Sequence, residues 1–109
     1  MAYDAALDER VDGLLRGRPG YVAKKMFGGK GYLCRGNLAA GLMGDELIVR
    51  LARPDGEAAL SEPGVRRFRV GGRTMGGWVL VSPDVLEHDA DLRDWLDRGW
   101  AHAASLPPK

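Results

Sequence analysis

The sequence predicts an α+β fold, a two-layer sandwich in which an antiparallel sheet of about six strands carries helices on one face. Three observations lead to this prediction. Apolar residues recur at helical spacing near both ends of the chain. Between those ends, short apolar runs are separated by glycine-containing turns. The connections between these runs are short, and short connections make consecutive strands antiparallel neighbours.

The two ends of the chain are predicted to be helical. Asp4 is a suitable N-cap, and the apolar residues that follow it as far as Arg16 fall on one side of a helix. After Asp89, a second suitable N-cap, apolar residues again recur at helical spacing up to Leu106. The last helix must end at Pro107, because proline cannot continue a helix.

The middle of the chain is predicted to form strands and one short helix. Gly36-Asn37 is the predicted two-residue turn of a hairpin, because both residue types accept positive φ values. Gly41 is expected to weaken the return strand or to mark a bulge. The continuous apolar run at residues 78–81 is typical of a strand covered on both faces. The predicted strands are residues 21–27, 31–35, 38–43, 46–51, 66–70 and 74–81, and the short helix is residues 54–60.

Size and composition indicate one ordinary globular domain. A chain of 109 residues can bury a core without a metal or a disulfide. The formal net charge of +1 does not favour any particular class of binding partner. Cys34 is the one cysteine, so no intrachain disulfide can form, and a small buried hydrophobe in a reducing cytoplasm is expected. An acidic start and the lack of a long apolar run predict a cytoplasmic protein that does not enter a membrane.

A set of short strings along the chain resembles a known family. The strings are Met26-Phe27-Gly28-Gly29, Gly31-Tyr32, Gly36, Asp45-Glu46-Leu47, Gly72-Arg73-Thr74-Met75, Trp78, Pro83, Leu92 and Trp95-Leu96. With them the chain resembles the N-terminal domain of the TfoX/Sxy family of competence regulators over residues 3–106. Within this resemblance, the candidate motif loop comprises Met26, Phe27, Gly28 and Gly29, with either a functional or a structural role.

The resemblance implies a fold similar to the type III secretion chaperones. It implies no established enzymatic activity, no cofactor and no catalytic residue to transfer. Full-length relatives promote expression of DNA-uptake genes alongside a cyclic-AMP-responsive transcription factor, and they have a second, helical C-terminal domain. This chain stops at Lys109, so a single-domain member over residues 1–109 is expected.

The residue types needed for catalysis or metal binding do not fall in a recognised pattern. Cys34, His88 and His102 have no zinc-ligand spacing. Each serine lies at the end of a predicted element, where a turn or cap role suffices. The glycines at residues 28–31 lack the Gly-Lys-Ser/Thr ending of a P-loop, and a strand follows them. No catalytic, cofactor-binding or metal-binding residue is therefore predicted, and no enzymatic activity.

Basic residues are concentrated in the predicted strands, and acidic residues in the predicted helices. If the two hairpins are neighbours in one sheet, their basic residues form a patch that attracts phosphate, nucleic acid or an acidic protein surface. The alternative is that the opposite charges attract sheet and helices to each other. The candidate basic patch comprises Lys24, Lys25, Lys30, Arg35, Arg66, Arg67, Arg69 and Arg73.

Three functions stay open at this stage. The first is a cytoplasmic, non-enzymatic interaction module that acts in transcription or an associated process through an unidentified protein partner. The second is a nucleic-acid-binding module that uses the basic hairpins, and the third is a small enzyme or ligand-binding protein. A chain this small has few ways to bury Trp78, Trp95 and Trp100, so a homodimer with a tryptophan at its contact is predicted.

Overall fold

The computed structural model describes residues 3–26 and 28–109. Within these residues, six strands form one antiparallel sheet with three α-helices, and the α+β class and element order are those predicted. A 3-10 helix at Pro83–Leu86 was not predicted. The elements are α1 (Ala5–Leu15), β1 (Tyr21–Met26), β2 (Gly29–Cys34), β3 (Asn37–Met43), β4 (Glu46–Arg50), α2 (Arg53–Ala59), β5 (Val65–Val70), β6 (Arg73–Val81) and α3 (Asp89–Ser105).

The sheet has the strand order β1-β2-β3-β4-β6-β5. Side chains alternate along each strand, so every second residue faces the same side. On one side, which we call the covered face, strand residues pack with α1, α2 and α3 into a single core. The strand residues in this core are Tyr32, Ala40, Leu42, Leu47, Val49, Val79 and Val81. The opposite side is the uncovered face, and the described helices do not pack on it.

Close backbone contacts set how near the helices lie to the sheet. Gly99 of α3 lies against the carbonyl oxygen of Ala39, where a Cβ atom would collide. Gly56 of α2 lies against the backbone of Gly77 in the same way. These glycines allow two helices to approach the strands without an intervening side chain.

The hairpin turn between β2 and β3 lies one residue earlier than predicted. Arg35 and Gly36 have φ values of 52° and 86°, and Asn37 is the first residue of β3. The Asn37 side chain is buried and donates a hydrogen bond to the carbonyl oxygen of Pro107 at 2.9 Å. With Asn37 in the strand and bonded to Pro107, the positive-φ positions of the turn are Arg35 and Gly36.

Three smaller predictions were wrong. The bulge predicted at Gly41 lies two residues earlier in the same strand, since Tyr32 and Leu33 pair with Ala40 and Leu38 and leave Ala39 as the extra residue. The N-cap of α3 is His88, and Asp89 is already helical. The run at residues 78–81 is covered on one face only, because β6 alternates half-buried and buried residues there.

The cysteine and two of the tryptophans lie in the core or against it. Cys34 is buried, as predicted, beside Ala39 and Ala103. Trp95 is buried within the subunit, so it needs no second copy to cover it. Trp100 is half-buried, and its ring lies 6.2 Å from that of Tyr21.

Candidate interaction surface

One cross-strand row passes through all six strands on the uncovered face. Successive Cα partners in this row are Lys24, Gly31, Gly41, Ile48, Leu80 and Arg66, in strand order from β1 to β5. Their chain neighbours Tyr32, Ala40 and Val79 belong to the core on the other side, so the row faces away from the helices. The row has a cation at each edge of the sheet, two side-chain-free positions and two apolar residues.

The glycine of the row on β2 is covered by neighbouring side chains. A Cβ atom at Gly31 would lie 2.7 Å from Sδ of Met26 and 3.0 Å from Cδ1 of Leu38. Both side chains therefore lie over Gly31. On β3, a Cβ atom at Gly41 would lie 3.7 Å from Cδ1 of Ile48. The glycines let these apolar side chains lie flat and join into one surface.

The candidate motif loop contributes to this surface at its two ends. Met26 ends β1 and Gly29 begins β2, while Phe27 lies outside the described residues. Gly28 has a φ of 73°, a conformation that favours glycine. A Cβ atom at Gly29 would collide with the carbonyl oxygen of Leu42, so this glycine is required by close approach of β3.

Large apolar side chains on the uncovered face remain in contact with water. Val22 and Met43 are 49% and 43% exposed, and Leu38 and Leu80 are half-buried. At the β5 end of the face, Trp78 stacks on Phe68 with ring centroids 5.8 Å apart. These side chains lie on one face of the sheet, and between them Leu33 and Ile48 are each only 8% exposed.

A polar cluster anchors α1 to the covered face. Asp8 accepts hydrogen bonds from the Tyr32 hydroxyl at 2.7 Å and from Nζ of Lys30 at 2.9 Å. One helical turn later, Asp12 accepts a bond from the Tyr21 hydroxyl at 2.7 Å.

The pKa shifts in this cluster follow from burial and hydrogen bonding. Burial, and then the bonds to Asp8 and Asp12, raise the pKa of Tyr32 and Tyr21 above the usual value. The hydrogen bond from Tyr21 lowers the pKa of Asp12. The bond to Asp8 raises the pKa of Lys30. These hydrogen bonds tie α1 to strands β1 and β2.

The structure divides the candidate basic patch into two groups. Lys24, Lys25, Lys30 and Arg35 belong to the β1–β2 hairpin, and Arg66, Arg67, Arg69 and Arg73 belong to the β5–β6 hairpin. These hairpins lie at opposite edges of the sheet, and their outer strands β1 and β5 are about 24 Å apart at the usual strand spacing. The condition for a single patch, that the two hairpins are neighbours, is therefore not met.

Some of these basic residues pair with carboxylates. Lys30 pairs with Asp8 of α1 at 2.9 Å, and Arg67 pairs with Glu57 of α2 at 2.5 Å. Both contacts join the sheet to a helix, as the alternative of attraction between sheet and helices predicted. Arg66 pairs instead within the sheet, with Glu46 at 2.5 Å.

A groove of about 610 Å³ lies between α2 and α3. Its walls include Asp55, Glu62, Arg98 and His102. Arg98 is engaged by Glu62 at 2.7 Å and by Asp94 at 2.8 Å, and its guanidinium carbon lies 4.2 Å from the Trp95 ring centroid. Burial lowers the pKa of His102, and nearby Arg50 adds to this effect. Arg98 and Glu62, two of these four lining residues, are therefore engaged with each other.

Within residues 3–26 and 28–109, no group of three or more histidines, cysteines or carboxylates has a geometry that could hold a metal ion. None of the helices described here has the length and hydropathy of a membrane span.

Comparison with known proteins identifies the family. The family model described as the TfoX N-terminal domain matches residues 13–103 of this 109-residue chain. No curated protein and no solved structure matches the chain. The likeness to secretion chaperones therefore stays a prediction, but the family match spans the whole sheet and all of α3 except its last two residues. The chain belongs to the TfoX N-terminal domain family.

Proposed function

We propose that this chain is a non-enzymatic interaction module that binds a protein partner through the uncovered face of its sheet. The observation that carries the proposal is the apolar surface around Val22, Leu38, Met43 and Leu80, which the fold leaves in contact with water. The largest apolar patch that a folded monomer exposes is often its binding site.

Family membership supports the biological setting of this proposal. The TfoX N-terminal domain family is not a known enzyme family. We propose that residues 1–109 act as one such domain in the cytoplasm, in transcriptional regulation of competence or of a related process.

Affinity capture from the native cell extract, followed by mass spectrometry, tests the proposal. The bait proteins are the unmodified chain, Leu80→Lys on the uncovered face, and Ala104→Lys on the exposed side of α3 as the matched control. Thermal melts first verify that both variants fold. We expect a partner that the unmodified chain and Ala104→Lys retain and Leu80→Lys loses. Equal capture by all three baits would contradict the use of this face.

Self-association is the second candidate for the same surface. It is favoured by Trp78, which stacks on Phe68 at the uncovered face and is the tryptophan placed to reach a second copy there. Sedimentation equilibrium over a hundredfold concentration range distinguishes the candidates. A homodimer would give a mass above the 11.8 kDa of one chain. The Leu80→Lys variant would then return to the mass of one chain.

Nucleic-acid binding has a separate test. Titration of labelled duplex DNA at low and moderate salt would show affinity that falls steeply with salt if Lys24, Lys25 or the arginines of β5 neutralise phosphates. The separation of the basic residues onto opposite edges argues for weak binding at best. Tight, salt-dependent binding would replace the protein-partner proposal.

A further inference from the structure

Residues 106–109, which we call the strap, follow α3 and cross the β2–β3 turn. The backbone N–H group of Lys109 donates a hydrogen bond to the carbonyl oxygen of Arg35 at 2.9 Å. The carbonyl oxygen of Pro107 accepts the hydrogen bond from the Asn37 side chain, also at 2.9 Å. These two bonds join the strap to the turn and to the first residue of β3.

The β2–β3 turn has a conformation that other parts of the chain support. Arg35 has a φ of 52°, which is strained for a residue other than glycine. Its N–H group donates a hydrogen bond to the carbonyl oxygen of Gly20 at 2.9 Å, and its carbonyl oxygen accepts one from the strap. A Cβ atom at Gly36 would lie 2.8 Å from Cβ of Lys109, so the strap and the turn are in direct contact. Release of the strap would remove one of these two supports.

Asn37 connects the strap to the interior of the fold. It is 3% exposed, and it is the one buried polar residue within residues 3–26 and 28–109. Its Cα partner across the hairpin is Cys34, so both side chains lie on the covered face. A buried amide that loses its hydrogen bond is costly to keep away from water. Loss of the strap would therefore favour exposure of Asn37 to water at the position beside Cys34.

The thiol of Cys34 lies under the end of α3 that the strap holds. Cys34 is 1% exposed and packs with Ala39, Ala103 and Trp100. Ala103 belongs to the last turn of α3, and its carbonyl oxygen accepts a hydrogen bond from the N–H group of Leu106 at 3.2 Å. Helices fray at their ends. Opening of the strap together with this last turn would uncover the thiol while the rest of the core stays packed.

The strap is held more weakly than the sheet. Leu106 is half-buried, and Pro107, Pro108 and Lys109 are exposed. Segments with few buried apolar contacts open locally at a much lower free energy than the core. The two prolines act in the opposite direction, because their fixed φ limits the conformational freedom that the strap gains on release. The strap is therefore docked by a few contacts and can open without global unfolding.

We propose that the strap is a conformational device, whose release together with the last turn of α3 is a local opening that exposes Cys34 and frees the β2–β3 turn. A ligand that holds the strap away from the turn would expose the thiol. By thermodynamic linkage, a group attached to Cys34 would in turn favour release of the strap. This proposal goes beyond the proposed function, because it involves neither the uncovered face nor a partner bound there.

The reaction of Cys34 with an excess of an aromatic disulfide that releases a coloured thiolate measures the opening on the full chain. We expect labelling of the folded chain to be at least about a hundredfold slower than labelling of the denatured chain. The rate should change by less than about twofold at urea concentrations below the unfolding transition, because a local opening exposes little surface. A rate that rises with urea in step with global unfolding would overturn the proposal, as would labelling as fast as in the denatured chain.

Two variants loosen the strap, and a third is the control. Asn37→Leu removes the donor to Pro107 and keeps a side chain of similar size, and it should speed labelling at least about tenfold. Pro107→Gly combined with Pro108→Gly makes the released strap more flexible and should speed labelling about threefold to tenfold. Asp4→Ala removes the N-cap of α1 and lowers global stability without contact with the strap. It should leave the labelling rate within about twofold.

Urea denaturation of each variant separates local from global opening. Equal acceleration of labelling by Asp4→Ala and Asn37→Leu would mean that the thiol is reached through global unfolding, and it would overturn the proposal. Rates within about twofold of the unmodified chain for both strap variants would do the same. If Asn37→Leu does not fold, the double glycine variant and the urea dependence of the unmodified chain decide. Equal partner capture by the Leu80→Lys bait concerns the uncovered face and leaves these rates unchanged, so the two proposals fail separately.

Discussion

The two faces of this sheet are made by alternate residues of the same strands, yet their composition differs. On β2, Lys30, Tyr32 and Cys34 face the helices, and Gly29 and Gly31 face the other side. The covered face has large apolar residues in a closed core and a polar cluster in which every member is bonded. The uncovered face has glycines, methionines and half-exposed apolar side chains between basic edges. Folding buries the first face in the core, whereas on the second Val22 and Met43 keep apolar area in contact with water.

The largest expected effect of a single substitution is on the covered face. Leu42 is 1% exposed and belongs to the core. Leu42→Ala should lower the free energy of unfolding by about 2–5 kcal/mol, because it leaves a cavity that the neighbouring helices cannot fill. Urea denaturation followed by circular dichroism measures this. A cost below about 1 kcal/mol would mean that the covered face is loosely packed.

A pair of helical glycines tests how closely the covering layer approaches the sheet. A Cβ atom at Gly99 would collide with the Ala39 carbonyl oxygen, while one at Gly13 of α1 would meet nothing within 4 Å. Gly99→Ala should therefore destabilise the fold by about 1–3 kcal/mol. Gly13→Ala should stabilise it by about 0.5–1 kcal/mol through helix propensity. Denaturation midpoints of equal sign for both variants would contradict this description of α3.

High pH should lower the stability of the packing between α1 and the sheet. Burial raises the pKa of Tyr21 and Tyr32 above the usual value of about 10, so the unfolded chain loses these protons first. The stability that they contribute is fully present below pH 10 and is lost as pH rises above it. Tyrosinate absorbance should therefore appear for these two residues only together with loss of helical circular dichroism. Their ionisation in the folded chain near pH 10 would contradict the burial of both hydroxyls.

A matched pair of tyrosine variants separates the hydrogen bond from the ring. Tyr32→Phe removes the bond to Asp8 and should cost about 1–3 kcal/mol of unfolding free energy. Tyr3→Phe is the control, because the partners of Asp8 in the cluster are Tyr32 and Lys30. The two variants should differ by at least about 1 kcal/mol in chemical denaturation.

A smaller effect is expected at the start of α1. The Asp4 carboxylate accepts hydrogen bonds from the backbone N–H groups of Ala6 and Leu7, at 2.9 Å and 3.3 Å. Asp4→Ala should cost about 1 kcal/mol, and Asp4→Asn should recover most of it, because asparagine is an equally good N-cap. Equal losses in thermal melts of both variants would show that charge, rather than capping, is what matters at this position.

The elements and their order were predictable because they follow from local chemistry. The apolar spacing after Asp4 is sufficient to place α1, and the glycine turns are sufficient to separate the strands. The errors arise where distant residues decide. Asn37 was assigned to a turn by its type, but Pro107, which is 70 residues away in sequence, requires it in β3.

The candidate site was less predictable, since it depends on strand order. The chain passes from β4 through α2 to β5, yet β4 pairs with β6, so the basic β5 lies at the far edge. Nothing in the local sequence of these strands shows that β6, rather than β5, pairs with β4. The sequence of residues 78–81 does not show which face of β6 is covered, because both faces carry apolar residues. The alternation of glycines 29 and 31 with Lys30 and Tyr32 was the available signal for two unlike faces.

The most direct test of this account is the stability of a variant altered only on the uncovered face. Val22→Thr combined with Met43→Thr keeps residues that favour strands and removes apolar surface at positions 49% and 43% exposed. We predict that the free energy of unfolding changes by less than about 1 kcal/mol, while partner capture falls. A loss of about 2 kcal/mol or more, comparable to Leu42→Ala, would contradict the account, because the uncovered face would then be part of the core that holds the fold together.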